Sequence, residues 1–147
     1  MRVSCTVNGD AVELEATPDE ALLNVLRRQL DLRSVRPTCG IGVCGACTAL
    51  VDGEPVSTCL LLAPLAEGRE ITTVEGLGGD HPLQRAFVES RAFQCGYCTP
   101  GMILSAKRLL EENPSPSAHQ IADFLSGNLC RCGCYLKIVD AVTRAAA

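Results

Sequence analysis

Tryptophan is absent from this 147-residue chain, phenylalanine and tyrosine together make up only 3%, and there are two histidines. So few rings exclude the aromatic platforms on which single-stranded nucleic acids stack. Positive charge is also short: 13 Lys and Arg face 17 Asp and Glu, and a net charge of -4 leaves no basic footprint for nucleic acid. Long apolar runs are missing as well. The longest, Leu60 to Leu65, contains Pro64 and falls far short of a membrane span. The start, Met1-Arg2-Val3-Ser4-Cys5-Thr6-Val7, reads as a strand without the basic and apolar regions of a secretory signal, which predicts a reducing, cytoplasmic location. His81 and His119 share no metal-ligand spacing with each other or with a carboxylate, and both read as ordinary surface residues. With no acid-base pair, nucleophile-base pair or phosphate loop, no residue is assigned a catalytic role.

What the chain does have is cysteine, ten of them, within a composition (47% hydrophobic, 20% charged) typical of a globular protein. Alternation over Val3 to Val7, an Asn8-Gly9-Asp10 turn and Ala11 to Glu15 predict an opening hairpin. Thr17-Pro18-Asp19-Glu20 has the chemistry of a helix start, and Ala21, Leu22, Val25, Leu26 and Leu30 form one apolar face of a helix ending near Leu30. A second hairpin follows over Thr48 to Val51 and Val56 to Leu60, then a strand over Ile71 to Val74. Glu75-Gly76-Leu77-Gly78-Gly79-Asp80 is glycine-rich enough to divide the chain into 1–75, a linker at 76–80, and 81–147. The second half reads as helical: Pro82 to Ala92, Pro100 to Glu112 behind a Thr99 cap, Ala118 to Leu125 behind a Ser117/Gln120 capping box, and Leu136 to Ala145.

Eight of the cysteines fall into two sets. Cys39, Cys44 and Cys47 are spaced C-x4-C-x2-C, with Cys59 beyond the next strand, the plant-type ferredoxin pattern for a [2Fe-2S] cluster. Gly40, Gly42 and Gly45 let such a loop turn its N-H groups onto sulfur, whereas zinc knuckles use C-x2-C pairs without a glycine-lined loop. The second set is Cys95 and Cys98 with Cys130 and Cys132; by spacing alone it suits a cluster, a zinc site or a redox-active pair. Cys5, on the apolar face of the first strand, reads as core. Five disulfides would also use up ten cysteines, but they fit poorly with Cys130-Arg131-Cys132 and a reducing compartment.

The strings Cys44-Gly45-Ala46-Cys47-Thr48, Thr73-Val74-Glu75-Gly76-Leu77, Gln94-Cys95-Gly96-Tyr97-Cys98-Thr99-Pro100-Gly101-Met102 and Gly127-Asn128-Leu129-Cys130-Arg131-Cys132 are long and specific. On them the chain resembles the small iron-sulfur subunit of the molybdenum hydroxylases, the xanthine oxidase family, which includes carbon monoxide dehydrogenase and aldehyde oxidoreductases. The resemblance implies an α+β architecture, with an N-terminal β-grasp, plant-type ferredoxin-like domain and a C-terminal four-helix-bundle domain. Each domain would hold one [2Fe-2S] cluster, on Cys39, Cys44, Cys47 and Cys59 and on Cys95, Cys98, Cys130 and Cys132. It implies electron transfer from molybdopterin in a large partner subunit toward FAD in a medium one, within a heterotrimer or its dimer. Gln94 would approach the pterin, with Cys132 the nearest cluster ligand. The chain departs from the family pattern at Thr38, where glycine is usual, and at Cys134, an extra thiol that either competes with Cys132 or packs as a small hydrophobe. The alternative is a stand-alone ferredoxin-like carrier.

Overall fold

The computed structural model describes residues 1–147. In chain order its elements are β1 (Arg2–Val7), β2 (Asp10–Glu15), α1 (Leu22–Leu30), β3 (Thr48–Val51), β4 (Glu54–Ser57), β5 (Glu70–Thr72), α2 (Pro82–Glu89), α3 (Thr99–Glu112), α4 (Ala118–Phe124) and α5 (Tyr135–Ala146). The strands and α1 fill the first half and the remaining helices the second, an α+β arrangement. No helix is long and apolar enough to cross a membrane.

β1 and β2 pair antiparallel across a turn in which Asn8 (φ 51°) and Gly9 (φ 88°) take the left-handed conformations a tight hairpin needs. Alternation along β1 drives Val3, Cys5 and Val7 into the interior, so Cys5 is a core residue. The sheet order is β2-β1-β5-β3-β4, with β5 parallel to β1 and antiparallel to β3. α1 contributes Leu22, Leu23, Val25 and Leu26 to a core of 16 buried residues drawn from Val3 to Ile71. Each of these fully buried leucines stabilises the fold by roughly 1.5–3 kcal/mol.

α1 starts at Leu22 and not at Pro18. Thr17 and Glu20 form a separate turn, Ala21 bridges to Leu62, and the Leu22 amide donates to the Leu61 carbonyl at 2.8 Å. A residue held in that bridge is extended, so the helix cannot begin before it. β4 ends at Ser57, where the chain turns back and carries Cys59 toward the glycine-rich loop.

The helical half has its own core of 15 buried residues, with Phe87 among the largest. His81 is the N-cap of α2, a correction to its reading as an ordinary surface residue. Its Nδ1 accepts from the Leu83 amide at 3.2 Å, and Gln84 Oε1 accepts from the His81 amide at 3.1 Å, completing a capping box. α2 stops at Glu89, short of Ala92. Arg91 turns left-handed (φ 49°), and the amides of Arg91 and Ala92 bond back to the carbonyls of Val88 and Phe87, a Schellman ending. Thr99 is the first residue of α3 and does not cap it; its hydroxyl is buried without a partner. The Ser117/Gln120 capping box forms as expected.

α3 also lies against β3 and β4, where Arg108 pairs with Glu54 at 2.6 Å and Glu112 at 2.7 Å. The start of the glycine-rich connection is pinned to the sheet side. Asn8 Oδ1 accepts from the Thr73 amide at 2.8 Å, and the Glu75 carboxylate accepts from the Ser34 amide at 2.9 Å and from the Ser34 hydroxyl. Partial burial pushes the Glu75 carboxyl up, but the hydrogen bonds from Ser34 and Thr73 outweigh it and hold it below the ordinary carboxylate value. A carboxyl lowered on folding contributes stability above the ordinary value, and that stability is lost as pH falls through the lowered one. Glu75→Gln is therefore expected to destabilise the protein by about 1 kcal/mol near pH 7. Denaturation curves should converge with the parent as the pH falls below about 4. An equal gap at both pH values would show that the charge is irrelevant.

Candidate iron-sulfur centres

The loop between α1 and β3 carries the first cysteine set. Gly40, Gly42 and Gly45 take φ of 68°, 76° and 72°, conformations that other L-residues resist, and they fold the backbone around the sulfurs. The Ile41 amide lies 3.5 Å from Cys39 Sγ and the Ala46 amide 3.5 Å from Cys44 Sγ. Hydrogen bonds from the amides of Ile41, Cys44 and Val43 lower the Cys39 thiol to about 6, so it is largely thiolate at neutral pH. Cys59 responds the other way. Burial, followed by the neighbouring Cys47 thiol, pushes it up to about 11.

The second set is built at two helix starts. Cys95 and Cys98 precede α3, while Cys130 and Cys132 lie in the turn before α5. The Tyr97 amide donates to Cys95 Sγ at 3.4 Å and the Cys134 amide to Cys130 Sγ at 3.4 Å. The Tyr97 contact is the main cause of a lowered Cys95 thiol. Burial pushes Cys98 up to about 12. Cys134 packs against the helical core, and both its backbone amide and its thiol lie against the Cys130 sulfur.

No three His, Cys, Asp or Glu side chains converge as a single bound ion requires. Cys39 meets Cys44, Cys47 meets Cys59 and Cys95 meets Cys132, while Cys130 meets both Cys98 and Cys134. A two-iron core takes two thiolates on each iron, and thiols that meet two by two suit that arrangement. The inward amides fit too, since hydrogen bonds to sulfur favour the extra negative charge of the reduced core.

The two loops touch. The Leu129 amide donates to the Cys44 carbonyl at 2.8 Å, joining the residue before Cys130 to a cysteine of the first set. A cavity of about 430 Å³ is lined by Cys44 on one side and by Cys95, Cys98 and Cys130 on the other. Gln94 is exposed and shares a separate surface cavity of about 390 Å³ with Phe93, Cys132, Gly133, Cys134 and Leu136.

Three residues at this junction escaped sequence reasoning. Buried Asn128 donates from Nδ2 to the Gly45 carbonyl at 3.2 Å and accepts at Oδ1 from the Ser105 hydroxyl at 3.0 Å, tying the first loop to α3. The Tyr135 hydroxyl accepts from the Cys130 amide at 2.8 Å. Arg36 Nη1 donates to the carbonyls of Gly96 (2.7 Å) and Tyr97 (2.8 Å). Asn128 and Tyr135 lie in or beside the second cysteine string, but Arg36 is 60 residues from its partners and no local pattern marks it.

Two family models match, in the order the two loops suggest: a 2Fe-2S iron-sulfur cluster binding domain over residues 5–74, and a [2Fe-2S] binding domain over 73–143. The chain is 50% identical to one of the nicotinate dehydrogenase subunits of Pseudomonas putida, over 98% of this chain and 94% of that one. It is 47% identical to the nicotinate dehydrogenase small FeS subunit of Eubacterium barkeri, over 95% of this chain and 91% of that one. Among solved structures, quinoline 2-oxidoreductase from Pseudomonas putida superposes with a TM-score of 0.95 at 45% identity, covering 99% of this chain and 92% of that one. The aldehyde oxidoreductase of Desulfovibrio desulfuricans also superposes at 0.95, with 47% identity over 99% of this chain, but the match spans only 17% of that longer chain. The chain therefore belongs to the small iron-sulfur subunits of the molybdenum hydroxylase family, with a [2Fe-2S]-binding domain in each half.

Proposed function

We propose that the chain is the electron-transfer subunit of a molybdenum hydroxylase, in which two bound [2Fe-2S] clusters supply one-electron transfer from a molybdenum-pterin site in a large subunit toward FAD in a medium one. The observation that carries this is the meeting of the two cysteine loops across the hydrogen bond from Leu129 to Cys44. In this reading Cys39, Cys44, Cys47 and Cys59 hold one cluster and Cys95, Cys98, Cys130 and Cys132 the other. The two separate cores support a division into 1–75, a connection at 76–80, and 81–147, with a β-grasp sheet in the first part and a four-helix bundle in the second.

Some of the exposed apolar side chains lie beside each cysteine set. Ile41, Val43 and Leu60 surround the first, while Phe93 and Leu136 rim the cavity at Gln94 and Cys132. The first rim is the face for the flavin subunit. The second is the face for the large subunit, where Gln94 and Cys132 approach the pterin. A heterotrimer or its dimer uses both faces. The ten unpaired thiols support a cytoplasmic location. Substrate choice lies in the large subunit, since relatives named for nicotinate, nicotine and aldehydes share this same small-subunit design.

Purification of the complex tests the proposal. About four irons and four sulfides per copy of this chain, together with a large molybdenum-containing subunit, are expected. A two-cluster monomer that purifies alone would favour the stand-alone carrier, and zinc in the helical half would remove the second cluster from the scheme.

A further inference from the structure

Arg36 sits between the two cysteine loops. Its main-chain amide donates to the carbonyl of Ala46, inside the first loop, at 3.1 Å. Its side chain crosses to the second loop, where Nη1 donates to the carbonyls of Gly96 and Tyr97 at 2.7 and 2.8 Å, with the guanidinium 4.9 Å from the centre of the Tyr97 ring. The Tyr97 hydroxyl returns the contact by donating to the carbonyl of Pro37 at 2.9 Å. No carboxylate pairs with Arg36, although ten ion pairs occupy other charged groups.

The Gly96 carbonyl belongs to the peptide unit whose N-H, that of Tyr97, points at Cys95 Sγ from 3.4 Å. A cation on the oxygen of a peptide polarises its N-H, and hydrogen bonds in such a chain strengthen one another. The guanidinium also fixes the plane of this peptide, because Gly96 (φ 75°) has no side chain to do so. Arg131 lines the neighbouring cavity but makes no hydrogen bond to the loop backbone.

We propose that Arg36 is a positioning residue of the second centre: acting through the Gly96-Tyr97 peptide, it strengthens the hydrogen bond to the Cys95 sulfur and raises the reduction potential of the cluster held there. Reduction adds one electron, supplied by the molybdenum site of the partner, without a proton and without breaking a bond. The site becomes more negative by one charge while Arg36 stays cationic, so its interaction favours the reduced state. Its contact with the first loop is a main-chain amide that any side chain at position 36 would retain, so the hydrogen-bond effect falls on the second cluster.

The inference rests on the two-cluster reading, and the test separates their failures. In the complete complex, redox titration followed by electron paramagnetic resonance is expected to show a lower midpoint for the second cluster in Arg36→Gln and an unmoved first cluster. Arg36→Lys, which keeps the charge but loses the planar fork, should fall between Arg36→Gln and the parent. Pulsed resonance should also show a weaker coupling of the Tyr97 amide nitrogen to the reduced cluster in Arg36→Gln, a change that looser packing alone would not confine to one nitrogen. A second-cluster midpoint at or above the parent's in Arg36→Gln, or an equal fall in both clusters, overturns the proposal. If Arg36→Gln does not retain its second cluster, Arg36→Lys decides, and a midpoint at or above the parent's overturns it. A parent complex without iron on Cys95, Cys98, Cys130 and Cys132 would sink the two-cluster reading itself.

Discussion

Cys98→Ser is expected to abolish one of the two paramagnetic signals of the reduced protein and to lower its iron from about four to about two atoms per chain. Cys98 is only 8% exposed and lies at the start of α3; the spare thiol nearest to it is Cys134, beside Cys130, so Cys98→Ser is compared with Cys98→Ser/Cys134→Ser to keep that thiol from substituting. Burial pushes the Cys98 thiol up to about 12. A serine hydroxyl is a weaker acid still and a harder ligand, and iron-sulfur cores select thiolate. The first centre should survive, because Cys47 belongs to, and Cys59 packs against, a core of 16 residues that includes none from the helical half. Cluster assembly is also folding free energy, so the helical half should melt at a lower temperature than the sheet half in this variant. Retention of both signals would show that Cys98 is not a ligand, and a properly folded protein lacking both would show that the centres assemble as one unit.

Local chemistry made the candidate ligands legible. Cys39, Cys44 and Cys47 with intervening glycines form a backbone trap whose geometry follows from spacing, and the structure shows the expected left-handed glycines at 40, 42 and 45. The first hairpin turn and the Ser117 cap were readable for the same reason, since each depends on residues within three or four positions. Sequence is a poorer guide where a distant partner or an atypical residue decides the outcome. α1 is delayed by the bridge from Ala21 to Leu62, and α2 is shortened by Arg91, a residue with no strong turn preference. The His81 cap is not legible in the sequence because an imidazole is an uncommon cap, and its ring nitrogen acts here as asparagine or serine would. Asn128 could be seen as part of a specific string, but its hydrogen bond to Gly45 spans 83 residues and belongs to the meeting of the two halves.

That meeting makes Gly45→Ala the most damaging glycine substitution in the cysteine loops. Gly45 has φ 72°, where alanine costs roughly 1–2 kcal/mol. An added Cβ would also stand 2.6 Å from both Asn128 Nδ2 and the Gly127 carbonyl oxygen, and the second of these is backbone that cannot rotate away. Overpacking of that kind costs roughly a further 1–3 kcal/mol, giving a total of roughly 2–5 kcal/mol. Gly40→Ala provides the comparison, because φ is 68° there and an added Cβ meets nothing within 4 Å. It should lose only the backbone part, roughly 1–2 kcal/mol. The difference between the two variants in chemical denaturation thus isolates the contact between the halves. The same displacement should pull the Cys44 carbonyl from the Leu129 amide, now 2.8 Å away, and lengthen the separation of the two centres. Weaker magnetic interaction between the two reduced clusters in Gly45→Ala, and an unchanged one in Gly40→Ala, is the expected signature. If both variants lose the same stability and keep the same interaction, the junction at Gly45 does not hold the centres together.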